Sequence, residues 1–121
     1  MSSFHATIRV MDDELIEILE YITADGRNHF RDWLEDLSDK PTRARIRMRI
    51  NRLRLGNFGD SKSIGRGVHE LRIQFGPGFR IYFGRASQSV AVLLIGGDKS
   101  TQAKDIELAF RLWDEYWRRS K

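Results

Sequence analysis

Residues 70–102 read ELRIQFGPGFRIYFGRASQSVAVLLIGGDKSTQ. Successive side chains of a β-strand face opposite sides, so Leu71, Ile73 and Phe75 point one way and Arg72 and Gln74 the other. After the turn Gly76-Pro77-Gly78, Phe79, Ile81 and Phe83 alternate in the same manner with Arg80 and Tyr82. The apolar set predicts a core face. The opposite face is expected to carry Arg72, Gln74, Arg80 and Tyr82, an array of donors suited to phosphates and bases. Val90-Ala91-Val92-Leu93-Leu94-Ile95 is an unbroken apolar run, the pattern of a central strand covered on both faces. Lys99 follows just past its end.

Working outward, the 121 residues are expected to form one domain over 1–121, with 40% hydrophobic residues to build its core. Residues 1–12 read as either an extra strand, over Phe4 to Val10, or a flexible arm. Leu15 to Ile22 is β-branched and aromatic before an Asp25-Gly26 turn and reads as a strand. Asn28 is placed to cap a short helix in which Phe30, Trp33, Leu34 and Leu37 recur at i, i+3, i+4 and i+7. A second helix starts near Pro41 and stops at Gly56. Ile46, Ile50 and Leu53 form one apolar stripe on it. Ala44, Met48 and Leu55 form another, which either packs on the preceding helix or is left for a partner. Gly56 to Arg66 reads as a loop. Ser100 is placed to cap a last helix through Trp117, with Ile106, Phe110, Trp113 and Trp117 in register. The fold class is therefore α+β: a small antiparallel twisted sheet packed against an N-terminal helix hairpin and a C-terminal helix.

Charge is uneven. The formal net charge is only +4, yet Pro41 to Gly59 holds no Asp or Glu and six arginines: Arg43, Arg45, Arg47, Arg49, Arg52 and Arg54. Such a local field suits sequence-independent contact with an RNA backbone, or an acidic partner. A helix-turn-helix reader of DNA fits neither the turn chemistry nor the hairpin that follows. With no cysteine, disulfides and thiolate metal sites are excluded, and His5, His29 and His69 are not spaced as ligands, so neither a metal nor a cofactor is expected. No run approaches the ~18 apolar residues of a membrane span, and no leader pattern is evident, so a cytoplasmic location and no membrane partner are expected.

Gly96-Gly97-Asp98-Lys99-Ser100-Thr101-Gln102 is similar to a phosphate-cradling loop before a helix, but it lacks the spacing of a P-loop, and its glycines also suit a tight strand-to-helix turn. Gly65-Arg66-Gly67 is too short for a dinucleotide fingerprint. His69 beside Glu70 is either a proton shuttle or incidental at a sheet rim.

The segments Glu70-Leu71-Arg72-Ile73, Gly76 to Phe83, Leu93 to Gln102 and Asp105-Ile106 resemble the HigB-like addiction-module killer proteins of the RelE/ParE toxin superfamily, the phage-derived Gp49-like family. The resemblance implies a RelE-like fold and the toxin of a type II toxin–antitoxin pair. It also implies a cognate antitoxin, often a helix-turn-helix protein from the adjacent gene. RelE-type members are ribosome-dependent mRNA endonucleases that use no metal, so mRNA and the ribosome are the implied partners. Arg80 matches the family's transition-state arginine, and Arg72 and Lys99 fall near its other basic positions. Gln74, Tyr82, Asp98, Gln102, Arg47 and Arg54 are the residues expected to contact RNA. The chain departs from the family pattern in having an aromatic helix where a C-terminal Tyr or His would act as acid or base, which leaves Tyr82, Asp98 and His69 as candidates. The resemblance also admits a ParE-like inhibitor that binds DNA gyrase, or an inactive relic that only binds antitoxin.

Overall fold

Five strands and three helices make up the computed structural model, which describes residues 15–121. In chain order they are β1 (Glu17–Glu20), α1 (His29–Asp36), α2 (Lys40–Arg54), β2 (Ser61–Gly65), β3 (Val68–Ile73), β4 (Phe79–Ser87), β5 (Val90–Asp98) and, after a 3₁₀ turn at Lys99–Thr101, α3 (Gln102–Arg119). The segment Phe4 to Val10, read as strand or arm, lies outside the described residues. The sheet order is β1-β5-β4-β3-β2. Strands β2 to β5 pair antiparallel, as expected of a small α+β domain, and β1 adds to the far edge in parallel with β5. Strand β2 occupies part of the stretch from Gly56 to Arg66 that reads as a loop, because Ser61, Lys62 and Ser63 pair with Leu71, Glu70 and His69 at the sheet edge, where polar side chains meet water.

Local chemistry starts and stops the helices. The Asn28 side chain accepts from Arg31 N at 2.9 Å at the head of α1. Asp39 accepts from Thr42 N at 3.2 Å and Pro41 sits in the first turn of α2, which ends before Gly56 at φ 88°. At the end of β5 the cap is Asp98 rather than Ser100: the Asp98 carboxylate accepts from Ser100 N at 2.8 Å, and Thr101 Oγ1 reaches back to Asp98 N.

Each face of the sheet has its own core. On one face Phe30 and Leu34 of α1 and Ile46 and Leu53 of α2 pack on Leu71, Ile73, Phe79, Ile81, Phe83 and Leu93. On the other, Ala109, Leu112 and Trp113 of α3 pack on Val68, Tyr82, Val92, Leu94 and Ile95. The side opposite the first core is thus covered by α3 where Tyr82 lies, which corrects the reading of Tyr82 as a surface residue: it is 0% exposed. Gly84 makes this possible, since a Cβ there would sit 2.4 Å from the Trp113 ring. A bulge in β5 seats Leu94 and Ile95 on the same face, between the pairs Tyr82↔Ile95 and Phe83↔Leu93. The second apolar stripe of α2 is not packed on α1. Ala44 is exposed, and Met48 and Leu55 are 56% and 51% exposed.

Candidate functional site

The glycine turn builds the site by bringing two cations face to face. Gly76 and Gly78 take φ of 59° and 79°, a left-handed conformation that only glycine adopts without strain. The register that follows places Arg72 directly opposite Arg80 and Glu70 opposite Tyr82. Around the turn a cavity of about 400 Å³ is lined by Arg72, Gln74, Arg80 and Lys99 together with Gly76, Pro77 and Gly78. The structure therefore gathers four of the residues singled out from the sequence, including all three cations expected at the reacting phosphate.

Behind these cations lies Glu70, 0% exposed, whose role the sequence reading missed. Its Oε1 accepts from Arg72 Nε at 3.1 Å, and its Oε2 from Tyr82 Oη at 3.0 Å and Gln102 Nε2 at 2.8 Å. Arg80 Nε lies 3.5 Å from Oε2, close enough for an ion pair but outside hydrogen-bond geometry, so it is a buried donor with no bonded partner among the described residues. Arg80 Nη1 donates to Gly78 O at 3.1 Å. Burial pushes the Glu70 carboxyl up, but the hydrogen bonds from Gln102, Arg72 and Tyr82 and the charge of Arg72 outweigh it and hold the group below the ordinary range. A carboxyl depressed in the folded state contributes stability above its unfolded pKa and loses it as pH falls through the folded value. Urea unfolding from about pH 5 down to pH 2.5 is accordingly expected to show a steeper loss of stability for the native chain than for Glu70→Gln. Equal slopes would remove Glu70 from the acid response.

Several expected RNA contacts are reassigned by the geometry. Tyr82 is sealed beneath α3, and burial followed by the Glu70 charge raises its hydroxyl, so it is a fixed donor to Glu70 and neither a base-stacking surface nor a proton carrier. The Gln102 amide is likewise spent on Glu70. Asp98 caps the 3₁₀ turn, and its bond from Ser100 holds it low. His69 faces the other side of the sheet, stacked on Phe83 at 5.3 Å, which rules it out as a shuttle for this pocket. Gly96 and Gly97 belong to β5 and permit close approach of Trp33 and Asp105, where a Cβ would lie 2.2 Å and 1.8 Å away, so they serve packing rather than a phosphate cradle. Gln74 lines the cavity with its amide held by Asp60 at 2.8 Å. The cavity therefore offers charge and hydrogen-bond donors, and its lining includes no His, Tyr, Asp or Glu.

Of the helix arginines, the two expected at RNA do not line this cavity. Arg47 lines a separate small cleft with Glu20, Arg31 and Ile50, and Arg54 bonds Asn51 at 2.9 Å. A neighbouring groove of about 300 Å³, sharing Arg72, Ile73 and Gln74 with the cavity, is lined also by Arg45, Met48, Arg49, Arg52 and Asp60. Arg49 in this group is structural, donating to Asn57 O and Phe58 O. Arg45 stacks over Phe75 at 4.2 Å. Among the described residues no group of three or more His, Cys, Asp or Glu comes together that could hold a metal ion, and no helix is long and apolar enough to cross a membrane.

A five-stranded sheet with two N-terminal helices and a C-terminal helix is an α+β architecture consistent with a RelE-like fold. Residues 32–114 match the family described as Phage derived protein Gp49-like (DUF891), and the chain belongs to that family, a RelE-like toxin family. An uncharacterized protein of Haemophilus influenzae is 48% identical over 86 residues, which cover 71% of this chain and 87% of that protein. The matched segment runs from within α1 to within α3 and includes every lining residue of the cavity.

Proposed function

We propose that this chain, as one domain, is a HigB-like toxin of a type II toxin–antitoxin pair and an endoribonuclease that cuts mRNA on the ribosome. The observation that carries the reading is the convergence of Arg72, Arg80 and Lys99 on one cavity large enough for a phosphate and its flanking sugars. In the proposed step the ribose 2′-oxygen attacks the adjacent phosphorus while the bond to the 5′-oxygen breaks, leaving a 2′,3′-cyclic phosphate and a 5′-hydroxyl. The 2′-hydroxyl proton leaves to water, and the departing 5′-oxygen takes one from water. Negative charge builds on the non-bridging oxygens in between. Arginine presents a rigid fork of donors to those oxygens and stays charged throughout, and Lys99 adds a point charge at the rim. Induction without a partner is expected to stop translation, with new mRNA 5′ ends inside translated regions by primer extension. Growth arrest with intact mRNA and altered DNA supercoiling would replace this reading with gyrase inhibition.

The groove beside the cavity extends the positive surface along α2, and flanking RNA phosphates are the proposed occupants. Arg45→Glu with Arg52→Glu is expected to weaken binding of ribosome-bound mRNA by about tenfold or more and to flatten its salt dependence. Arg47→Glu with Arg54→Glu makes the same change of net charge on the other flank and is expected to alter binding by less than about threefold. Equal losses from the two pairs would reduce the effect to overall charge. The proposed antitoxin, encoded by the adjacent gene, meets the exposed Met48 and Leu55 among the arginines, and the two-gene product is expected to purify as a complex.

A further inference from the structure

We propose that Glu70 is the positioning residue of this site: one buried carboxylate holds the opposed Arg72 and Arg80 by their Nε edges and so turns their terminal amino groups toward a phosphate. The inference rests on the phosphoryl-transfer reading above, which it deepens.

The geometry begins with a conflict. The register sets Arg72 opposite Arg80, and like charges directly across a strand pair repel. Glu70 lies on the same strand face as Arg72, two residues before it, and gives one oxygen to each cation: Oε1 to Arg72 Nε and Oε2 to Arg80 Nε. Taking each arginine at Nε leaves the outer part of each fork for a ligand. Among the described residues, the terminal nitrogens of Arg72 make no hydrogen bond, and those of Arg80 make one, to Gly78 O.

The carboxylate is itself held from two directions. Tyr82 Oη reaches it from the neighbouring strand and Gln102 Nε2 from the first residue of α3. Three donors bond it, one at Oε1 and two at Oε2, and the Arg80 Nε at 3.5 Å also faces Oε2. Glu70 is also fully buried, and its proton is lost at neutral pH because the surrounding donors favour the charged form. Burial and lowered basicity argue against a general base and for an orienting group. The unbonded Arg80 Nε is the one loose contact in the cluster, facing Oε2 just beyond bonding geometry. Arg80 therefore keeps a small freedom to follow a phosphate, whereas Arg72 is bonded in place. The dependence on Gln102 further ties the seat of α3 to the orientation of both cations.

The test uses the full chain and three readouts. In the free protein, the Nε–Hε signals of Arg72, bonded to Glu70, and of Arg80, buried beside it, are expected to exchange slowly in nitrogen-15 NMR, and the Arg72 signal to join the fast-exchanging surface arginines in Glu70→Gln. Single-turnover cleavage of ribosome-bound mRNA by Glu70→Gln is expected to slow about 30- to 100-fold, while binding of the same mRNA blocked by a 2′-O-methyl group at the cut changes less than about threefold. A carboxylate that served folding alone would lower stability and leave the cleavage step within threefold of the native rate, which would overturn the proposal. So would a loss expressed wholly as weaker binding. The two levels are separable: a native chain that leaves ribosome-bound mRNA intact overturns the proposed function, whereas slow exchange of the Arg72 signal persisting in Glu70→Gln overturns the clamp. Should Glu70→Gln fail to fold, Tyr82→Phe, which keeps the carboxylate and removes one of its bonds, is expected to broaden the same signals and slow cleavage about three- to tenfold. No change in either would count against the clamp.

Discussion

Arg80→Ala is expected to slow RNA cleavage about a hundred- to a thousandfold, because deleting one preorganised donor from developing charge typically costs ~3 to 4 kcal/mol at the transition state. Toxicity on induction should disappear with it. The Arg80 side chain is only 12% exposed and lies against Glu70, so the substitution also touches the fold. Glu70 keeps Arg72, Tyr82 and Gln102, so its charge is not left unpaired, and the cost in stability is expected to be about 1 to 2 kcal/mol rather than the larger penalty of an orphaned buried ion. Native circular dichroism and binding to the antitoxin should both survive. Arg80→Lys should recover little, since an ammonium cannot both face Glu70 and present a fork to phosphate. A folded Arg80→Ala protein that cleaves ribosome-bound mRNA at the native rate would remove Arg80 from the chemistry.

Trp113→Ala is expected to damage the fold severely. The indole is 3% exposed, rests over Gly84, and stacks on Tyr116 with centroids 4.7 Å apart. Truncating a buried aromatic of this size costs ~3 to 5 kcal/mol through lost burial and the void left behind. For a domain of this length that corresponds to a fall in Tm of about 10 to 20 °C. Trp117, 44% exposed on the same helix, is the control, and Trp117→Ala is expected to cost less than about 1 kcal/mol. Similar melting temperatures for the two variants would mean that α3 is not seated on the sheet through Trp113. Because α3 also delivers Gln102 to Glu70, a loosened helix should reduce cleavage even in molecules that remain folded.

The hairpin around Gly76-Pro77-Gly78 was readable because glycines bracket a turn between two alternating strands, which puts Arg72 and Arg80 on one face; the register that sets them opposite each other belongs to the connection from Gln74 to Gly78 and was not determined by the pattern. The central strand β5 was readable because only a strand covered on both sides tolerates six consecutive apolar residues. Glu70 could have been found from the same alternation, which puts it on the face of Arg72 and Tyr82. It was passed over because a strand carboxylate reads as solvated until something covers it. Tyr82 was misplaced for the same reason. Alternation assigns a residue to a face, and it carries no information about whether that face meets water or a helix that arrives twenty residues later.

The arginine helix marks the boundary most sharply. At about 100° per residue, Arg45, Arg49 and Arg52 fall on one flank of the Ile46–Leu53 stripe, and Arg43, Arg47 and Arg54 fall on the other. The sequence by itself therefore determined two cationic flanks, an α+β order of elements, and an arginine pair at a glycine turn, all consequences of local periodicity and short-range geometry. Which flank borders Arg72, which sheet face α3 covers, and what holds the opposed arginines together were decided only by tertiary structure, because they depend on the direction in which each helix crosses the sheet. That direction is set by side-chain fit between segments far apart in the chain, such as Trp113 over Gly84 and Trp33 over Gly96, and no local pattern encodes it.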